Sequence, residues 1–378
     1  MLRRFWIWPL LVVIIIVALM PVLNGWVAHR LDVQLINQSG YQIKSHQYNW
    51  GYLNSREQLK VKGFGNRDYM VTILNHHWGL GPSMRLKIDH KSLFKSQWRW
   101  HLFPFSMRGI HHYLGTNALF SQLKLTTTAT PGHVNNQVLL ANYQDQVFHI
   151  QNFVLKSTSQ YALFGDNAHR INQSDYQIKL GMLGYHSPVN QFKLHGLTAS
   201  SQVTPGTPLA TYHNQLQINK VHWSNKGLSY DLENITTQMV MQAYANAISH
   251  LGEISTPSAN WQKQLGPLLA HGFNIHINPL VLHSGKDSLK MRTSLDIEPT
   301  ALSFSRLDNA LLLQNTSAEL HAKVDVGFLD NVAPDSIIYI IEQALRRGIF
   351  QQKGKFITAN LIYRRGQLQQ KPDTGTMN

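Results

Sequence analysis

The sequence predicts an α+β fold that is mainly β: an N-terminal transmembrane helix, then extended antiparallel sheet, with a few helices in the C-terminal half. Three observations predict it. Phe5–Ala28 contains no charged residue. Most of the remaining chain breaks into segments in which every second residue is apolar. Three stretches late in the chain change to an apolar spacing of three and four.

The apolar run comes first. A bilayer core of about 30 Å needs roughly 20 apolar residues in a helix to cross it. Phe5–Ala28 has that length, with Trp6 and Trp8 at one edge and Trp26 at the other, as aromatic side chains sit at a membrane interface. Phe5 opens the run, and Arg3 and Arg4 before it favour a cytoplasmic N-terminus. A cleaved signal peptide is the alternative. It usually has a shorter apolar region and a small-x-small cleavage site, and Val22-Leu23-Asn24-Gly25-Trp26 makes a poor one. The expected organisation is an anchor over 1–30, a β-rich exported region over 31–232, a β-rich region with helices over 233–370 and a disordered tail over 371–378.

Trp26–Ser39 is expected as a helical link, ended by Gly40. Leu59/Val61, Met84/Leu86/Ile88 and Leu123/Leu125 then alternate with polar residues, which puts one side of each strand on a core and the other in water. Lys91–Tyr113 is aromatic-rich and fits neither period cleanly. Val147–Leu155, Asp175–Leu180, Gln191–Leu197 and Leu216–Trp223 follow as strands, separated by turn clusters such as Gly165-Asp166-Asn167 and Pro205-Gly206-Thr207-Pro208. Within Leu216–Trp223 the apolar phase moves from Leu216/Ile218 to Val221/Trp223, which predicts a β-bulge near Asn219-Lys220.

Val240, Ala243, Tyr244, Ala247, Ile248 and Leu251 have helical spacing, with Gly252 as the stop. Thr256-Pro257 reads as a cap and first turn for a second helix carrying Trp261, Leu265 and Leu268. The clearest alternation follows, in Leu289–Ile297 and Ala318–Phe328. A third helix is expected from Pro334 to Arg347, burying Ile337, Ile341, Ala344 and Leu345 and stopped by Gly348. Phe356–Tyr363 and Gln367–Gln369, joined by Arg365-Gly366, read as a terminal hairpin.

Composition narrows the function classes. The 378 residues carry a formal charge of +14, spread without a block of five like charges. A basic exported surface suits anionic lipid head groups or acidic polysaccharide, and nucleic acid is not an expected partner on that side of a membrane. Charged residues are only 14% of the chain, so solvation falls to Asn, Gln, Ser, Thr and His. The absence of cysteine rules out disulfides, thiolate metal sites and a cysteine nucleophile.

Tyr48-Asn-Trp-Gly51-Tyr52-Leu53-Asn-Ser55 resembles the Gly-Trp-Phe-x-Ser type signature of the YdgA-like family of bacterial envelope proteins, which likewise follows an N-terminal anchor and starts a strand. Tyr48, Gly51, Tyr52 and Ser55 match, and Leu53 stands where the family has an aromatic residue. His77-Trp-Gly-Leu-Gly81-Pro82 is similar to the family's next stretch, His-Gly-Pro, but carries an insertion. The Leu345…Gly348 helix end and Gly366-Gln-Leu368 resemble the family's C-terminal part, although Gln370-Lys371 replaces its terminal Asn-Gly. The resemblance implies a single-pass inner-membrane protein of Gram-negative bacteria with a β-rich periplasmic part. The family has no known function, so no catalytic residue comes with it.

Motifs that carry chemistry are few. His76-His77 and His111-His112 are doublets, but neighbouring residues on a strand face opposite sides and do not converge on one metal. No His-Glu-x-x-His, Gly-x-Ser-x-Gly, phosphate loop or dinucleotide fingerprint is present, and the acids are sparse. No catalytic, cofactor or metal residue is therefore assigned. The distinctive exported stretch is Trp98–Tyr113. Trp98, Arg99, Trp100, Phe103, Phe105 and Arg108 are candidate membrane or amphipath contacts, because Trp with Arg suits the head-group region; the alternative is an ordinary core corner. The expected function is that of a non-enzymatic inner-membrane-anchored periplasmic protein in envelope maintenance, binding lipid or another amphipath. The alternative is an interaction or assembly module for an envelope protein partner. A hydrolase of an envelope polymer is a third reading, and it needs acids or histidines converging in a cleft.

Overall fold

The computed structural model describes residues 19–29, 42–62, 68–78, 81–101, 106–161, 171–206, 209–225, 228–244, 268–299, 309–333 and 335–370. The described chain is mainly β, one large antiparallel sheet with few helices. Most strands pair with their neighbours in sequence, the strand Thr316–Asp325 pairing instead with Phe356–Arg364, so the chain is a long meander whose sheet is built from local hairpins. It divides into two compact units, residues 1–139 with 156–171, and residues 140–155 with 172–378. The expected boundary at 232/233 falls inside a strand.

In the first unit, helix α1 (residues 19–29) precedes β1 (Gln42–Trp50), β2 (Asn54–Lys62), β3 (Asp68–His76), β4 (Ser83–Ile88), β5 (Lys91–His101), β6 (Ser106–Tyr113), the short α2 (Ala118–Ser121) and β7 (Lys124–Thr130). β7 pairs with the start of β8 (His133–Gln144). On one face Leu59, Val61 and Ile73 are buried, with Val71, Met84 and Leu86 packed against them. β2 alternates strictly between buried and outward residues, as its period-two pattern predicts. Lys91–Tyr113, ambiguous in sequence, is the hairpin β5–β6, with Trp98 opposite Gly109 and Arg99 opposite Arg108.

Of the expected anchor, residues 5–18 lie outside the described residues, and with them Phe5, Trp6 and Trp8. Among the described residues no helix is long and apolar enough to cross a membrane.

The second unit contains the longest strands. β9 (Phe148–Tyr161) begins in it, followed by β10 (Ile171–His186), β11 (Asn190–Thr204), β12 (Leu209–Asn225), β13 (Leu228–Tyr244), β14 (Phe273–Ser284) and β15 (Asp287–Ile297). Then come α3 (Asn309–Gln314), β16 (Thr316–Asp325), α4 (Val326–Val332), α5 (Asp335–Arg346), β17 (Gln351–Lys353), β18 (Phe356–Arg364) and β19 (Gln367–Gln370). β12 and β13 run for 17 residues each, longer than the short strands expected. The main core lies where α4 packs: Val324, Phe328, Leu329 and Ile357 are buried together, flanked by Leu282, Leu289, Ile341 and Leu345. A smaller one joins Ala243 to Leu268, in a single helical turn at 268–271.

Three expectations are corrected here. The helix predicted from Val240 does not form over its first part: Val240, Ala243 and Tyr244 are the end of β13. Met239, Met241 and Ala243 also alternate, and they meet Ile277, Ile275 and Phe273 on β14 while Met241 and Ala243 meet Tyr212 and Ala210 on β12. Pairing on both sides decides an ambiguous pattern in favour of strand. Ala247, Ile248, Leu251 and most of the second predicted helix lie outside the described residues, as do Gly165-Asp166-Asn167 and the tail. The third predicted helix is α5, but it buries only part of the expected side: Ile341 and Leu345 pack on the core, while Ile337 is 43% exposed. The terminal hairpin is present, turning at Arg365 and Gly366 with φ of 50° and 81°.

The third correction concerns the bulge at Asn219. The phase does move there, but the register does not: Ile218 pairs with Leu197 and Ile235, and Lys220 pairs with His195 and Glu233. The reason is that the adjoining strands move together. Apolar residues three apart flank Asn152 (Ile150/Phe153), Gly181 (Leu180/Leu183), Gly196 (Leu194/Leu197), Asn219 (Ile218/Val221) and Asn234 (Leu232/Ile235). Asn152, Gly196 and Asn234, on alternate strands, have φ of 53°, 66° and 51°. A shift shared by five strands leaves each apolar residue opposite an apolar partner and preserves one apolar side through the irregularity.

Candidate functional site

Three features of the described residues can carry a function. The first is the joint between α1 and the sheet of the first unit. Pro21, Asn24, Gly25 and Ala28, at helical spacing, are buried, while Leu19, Val22, Leu23 and Trp26 are exposed. A short loop after β3 brings His77 under the helix. Asn24 donates to the His77 carbonyl (2.7 Å) and accepts from Trp100 Nε1–H (2.8 Å). His77 Nε2 lies 3.0 Å from Ser55 Oγ, and Nδ1 faces the Tyr52 carbonyl at 3.3 Å. Gly25 permits this approach, because a Cβ there would lie 2.8 Å from the His77 ring. Burial pushes the His77 pKa down, opposed by its backbone partners, so the ring is neutral near pH 7. Ser55 with His77 has the outline of a nucleophile and base. Ser55 is only 3% exposed and His77 is 0% exposed, and the second ring nitrogen meets a carbonyl rather than a carboxylate. The pair is built as a polar joint. Beside it, buried Glu57 is paired with His46 from β1.

The second feature is the aromatic and arginine stretch. Strand alternation splits the expected cluster between two faces. Trp98 is buried against Gly109, edge-on to His111 (ring centroids 5.4 Å apart), and Trp100 reaches Asn24 of the helix. Arg99 and Arg108 point the other way and are exposed, directly opposite each other. Phe103 and Phe105 lie outside the described residues. Behind Trp98 a polar string crosses the strands: Ser96 to His111 (2.6 Å), His111 to Thr127 (3.0 Å), Thr127 to Asn136 (2.7 Å) and Asn136 to Ser157 (3.3 Å). Burial, and then the neighbouring His112, push the His111 pKa down to about 4.

The third feature is the apolar side of the second unit. Paired residues across β10–β13 make unbroken apolar rows: Leu180, Leu197, Ile218 and Ile235, then Leu183, Leu194, Val221 and Leu232. A third row is aromatic, formed by Tyr185, Phe192, Trp223 and Tyr230, with Trp223 and Tyr230 stacked at 5.3 Å. Leu194 and Ile235 are buried, whereas the other apolar residues of these rows are half-buried or exposed. Lys220 with Glu233 (3.0 Å) and His222 with Asp231 (3.2 Å) form the polar counterpart. The rows end beside an open depression lined by Val147, Phe148, Tyr185 and Phe192.

The histidine doublets behave as strand geometry requires: His77 is buried and His76 exposed, and His111 is half-buried with His112 exposed. Among the described residues no group of three or more His, Asp or Glu could hold a metal ion. The joint was invisible to sequence reasoning, since Asn24 and His77 are 53 residues apart. The rows were partly visible, through the apolar alternation of each strand taken singly. Comparison of the chain with protein-family models, curated proteins and solved structures finds no match.

Proposed function

We propose that this chain is a non-enzymatic, membrane-anchored protein of the cell envelope that holds a lipid or similar amphipath on the apolar side of its long-strand unit. The observation that carries the reading is the set of aligned apolar rows on β10–β13, in which most side chains keep part of their surface open to solvent. An acyl chain lying along such rows removes apolar surface from water at about 25 cal/mol per Å². The exposed apolar side of α1 supports the anchor, because it continues the charge-free run that begins at Phe5. In this reading the N-terminus stays in the cytoplasm behind Arg3 and Arg4, and the sheet lies in the periplasm, in keeping with the resemblance to YdgA-like proteins.

The test is native mass spectrometry with lipid extraction on the full-length chain purified in neutral detergent. The expected result is a stoichiometric lipid lost in Leu197→Asn and Ile218→Asn, two changes in one row. Equal lipid in wild type and both variants refutes the binding face. A second reading, an assembly module, is favoured by α5, which leaves Ile337, Tyr339 and Ile340 at 43%, 62% and 59% exposure. Lipid-free protein that copurifies with one envelope protein, and loses it in Ile340→Asp, selects that reading instead.

A further inference from the structure

The first unit carries most of the excess positive charge of the chain. Between residues 42 and 139 there are twelve Lys and Arg residues and only three acids, Glu57, Asp68 and Asp89. All three acids are engaged: Glu57 is buried beside His46, Asp68 pairs with Lys44 (2.6 Å) and Lys60 (3.2 Å), and Asp89 accepts from the Met70 amide (3.0 Å). Asp89 lies in the turn between β4 and β5, and among the described residues no ion pair joins any of the three to Arg85, Lys95, Arg99 or Arg108.

The outward face of β4–β6 is built from like charges in register. Arg85 is opposite Lys95, and Arg99 is opposite Arg108. Arg56 lies in the Arg85 row, beyond Leu74. Like charges directly opposite in a ladder repel, and on an ordinary surface an acid relieves them. Among the described residues none of Arg56, Arg85, Lys95, Arg99 and Arg108 has an ion pair. The two cation pairs are four residues apart along β5, about 13 Å. Ile110, 42% exposed, lies between Arg108 and His112 on the same face.

The position of this face relative to α1 identifies its occupant. Trp100, the residue after Arg99, donates to Asn24 of α1, so Arg99 and Arg108 sit one residue along the strands from the point where the charge-free run meets the sheet, on the sheet's opposite face. We propose that the outward face of β4–β6 docks on the phosphate groups of anionic phospholipids, in the surface of the bilayer that holds the anchor. This rests on the anchored reading above. Two cations in one row suit a headgroup phosphate between them, and Ile110 suits the boundary beneath.

The absence of cysteine allows a direct test. Ile110→Cys in the full-length chain, labelled with an environment-sensitive dye, is incorporated into nanodiscs of phosphatidylcholine alone or with roughly 30% phosphatidylglycerol. The expected result is a blue-shifted emission only in the anionic discs, lost in about 0.5 M NaCl. Arg99→Gln with Arg108→Gln lowers the docking equilibrium about twenty-fivefold, at about fivefold for each cation. Arg85→Gln with Lys95→Gln gives a similar loss and guards against misfolding of the first variant. Incorporation into both discs with identical emission overturns the docking surface and leaves the anchor standing. A shift in anionic discs with no retention on neutral discs overturns the anchor and leaves the docking surface standing. A shift that survives in both double variants overturns the assignment to these cations.

Discussion

Asn24→Ala tests the joint between α1 and the sheet. The substitution removes the donor to the His77 carbonyl, which is buried, and the acceptor of Trp100 Nε1–H, which is partly buried. Each loss costs about 1–2 kcal/mol. Alanine is the better helix former by about 0.6 kcal/mol, which offsets part of it. The net expectation is a loss of about 2–3 kcal/mol. The assay is urea unfolding of the full-length chain in neutral detergent, followed by tryptophan fluorescence. A cycle with Trp100→Phe isolates the bond between helix and strand, with an expected coupling of about 1 kcal/mol. Stability within about 0.5 kcal/mol of wild type, or additivity within about 0.3 kcal/mol in the cycle, refutes the claim that these bonds hold the helix to the sheet.

Four further outcomes are expected. His111 is held neutral by burial with a pKa near 4, below its unfolded value, so its contribution is fully present above about pH 6.5 and is lost as pH falls toward about 4. That loss amounts to about 3 kcal/mol, and urea midpoints at pH 7 and pH 4.5 should differ less in His111→Asn. Gly109→Ala puts a Cβ about 2.8 Å from the Trp98 ring and lowers stability by about 1–3 kcal/mol, a loss that Trp98→Leu should largely relieve in a thermal melt. Gly196→Ala meets a positive φ and clashes with the Asn219 amide, so it should cost at least about 1–2 kcal/mol; a neutral melt would deny the row its structural part. Asp325→Ala removes the acceptor of the Ser288 amide (2.9 Å) and hydroxyl (3.1 Å) and the partner of Lys355 (3.1 Å), and should lower the urea midpoint by the equivalent of about 2–4 kcal/mol.

The sheet was legible where one strand decided its own pattern. β2, β16 as far as Asp325 and the terminal hairpin alternate strongly enough that no partner is needed to read them, although Val326 and Phe328, expected to extend β16, lie in helix α4; α5 carries its own stop at Gly348. The apolar residues of Val240–Tyr244 satisfy both periods, and only the neighbours on β12 and β14 choose between them. Asn219 gave away an irregularity but not its kind, since a bulge and a shared shift look alike on one strand. The candidate contacts form one block in the sequence, Trp98 to Arg108. Alternation turns the tryptophans inward and the arginines outward, and the facing of Arg99 by Arg108 depends on where the hairpin turns. The Asn24–His77 joint had no sequence signal at all, because it is a contact between distant residues of ordinary type.

The row through Asn152, Gly181, Gly196, Asn219 and Asn234 also bears on how this chain can change over time. Loss of one residue from β12 alone would bring Gln215 and Gln217 to the side now held by Leu216 and Ile218, while β11 and β13 stayed as they are. A matching loss from every strand would be needed to restore agreement. Single-residue insertions and deletions in this part of the sheet are therefore expected to be far less tolerated than at its hairpin turns, and strand length here is inherited as a set.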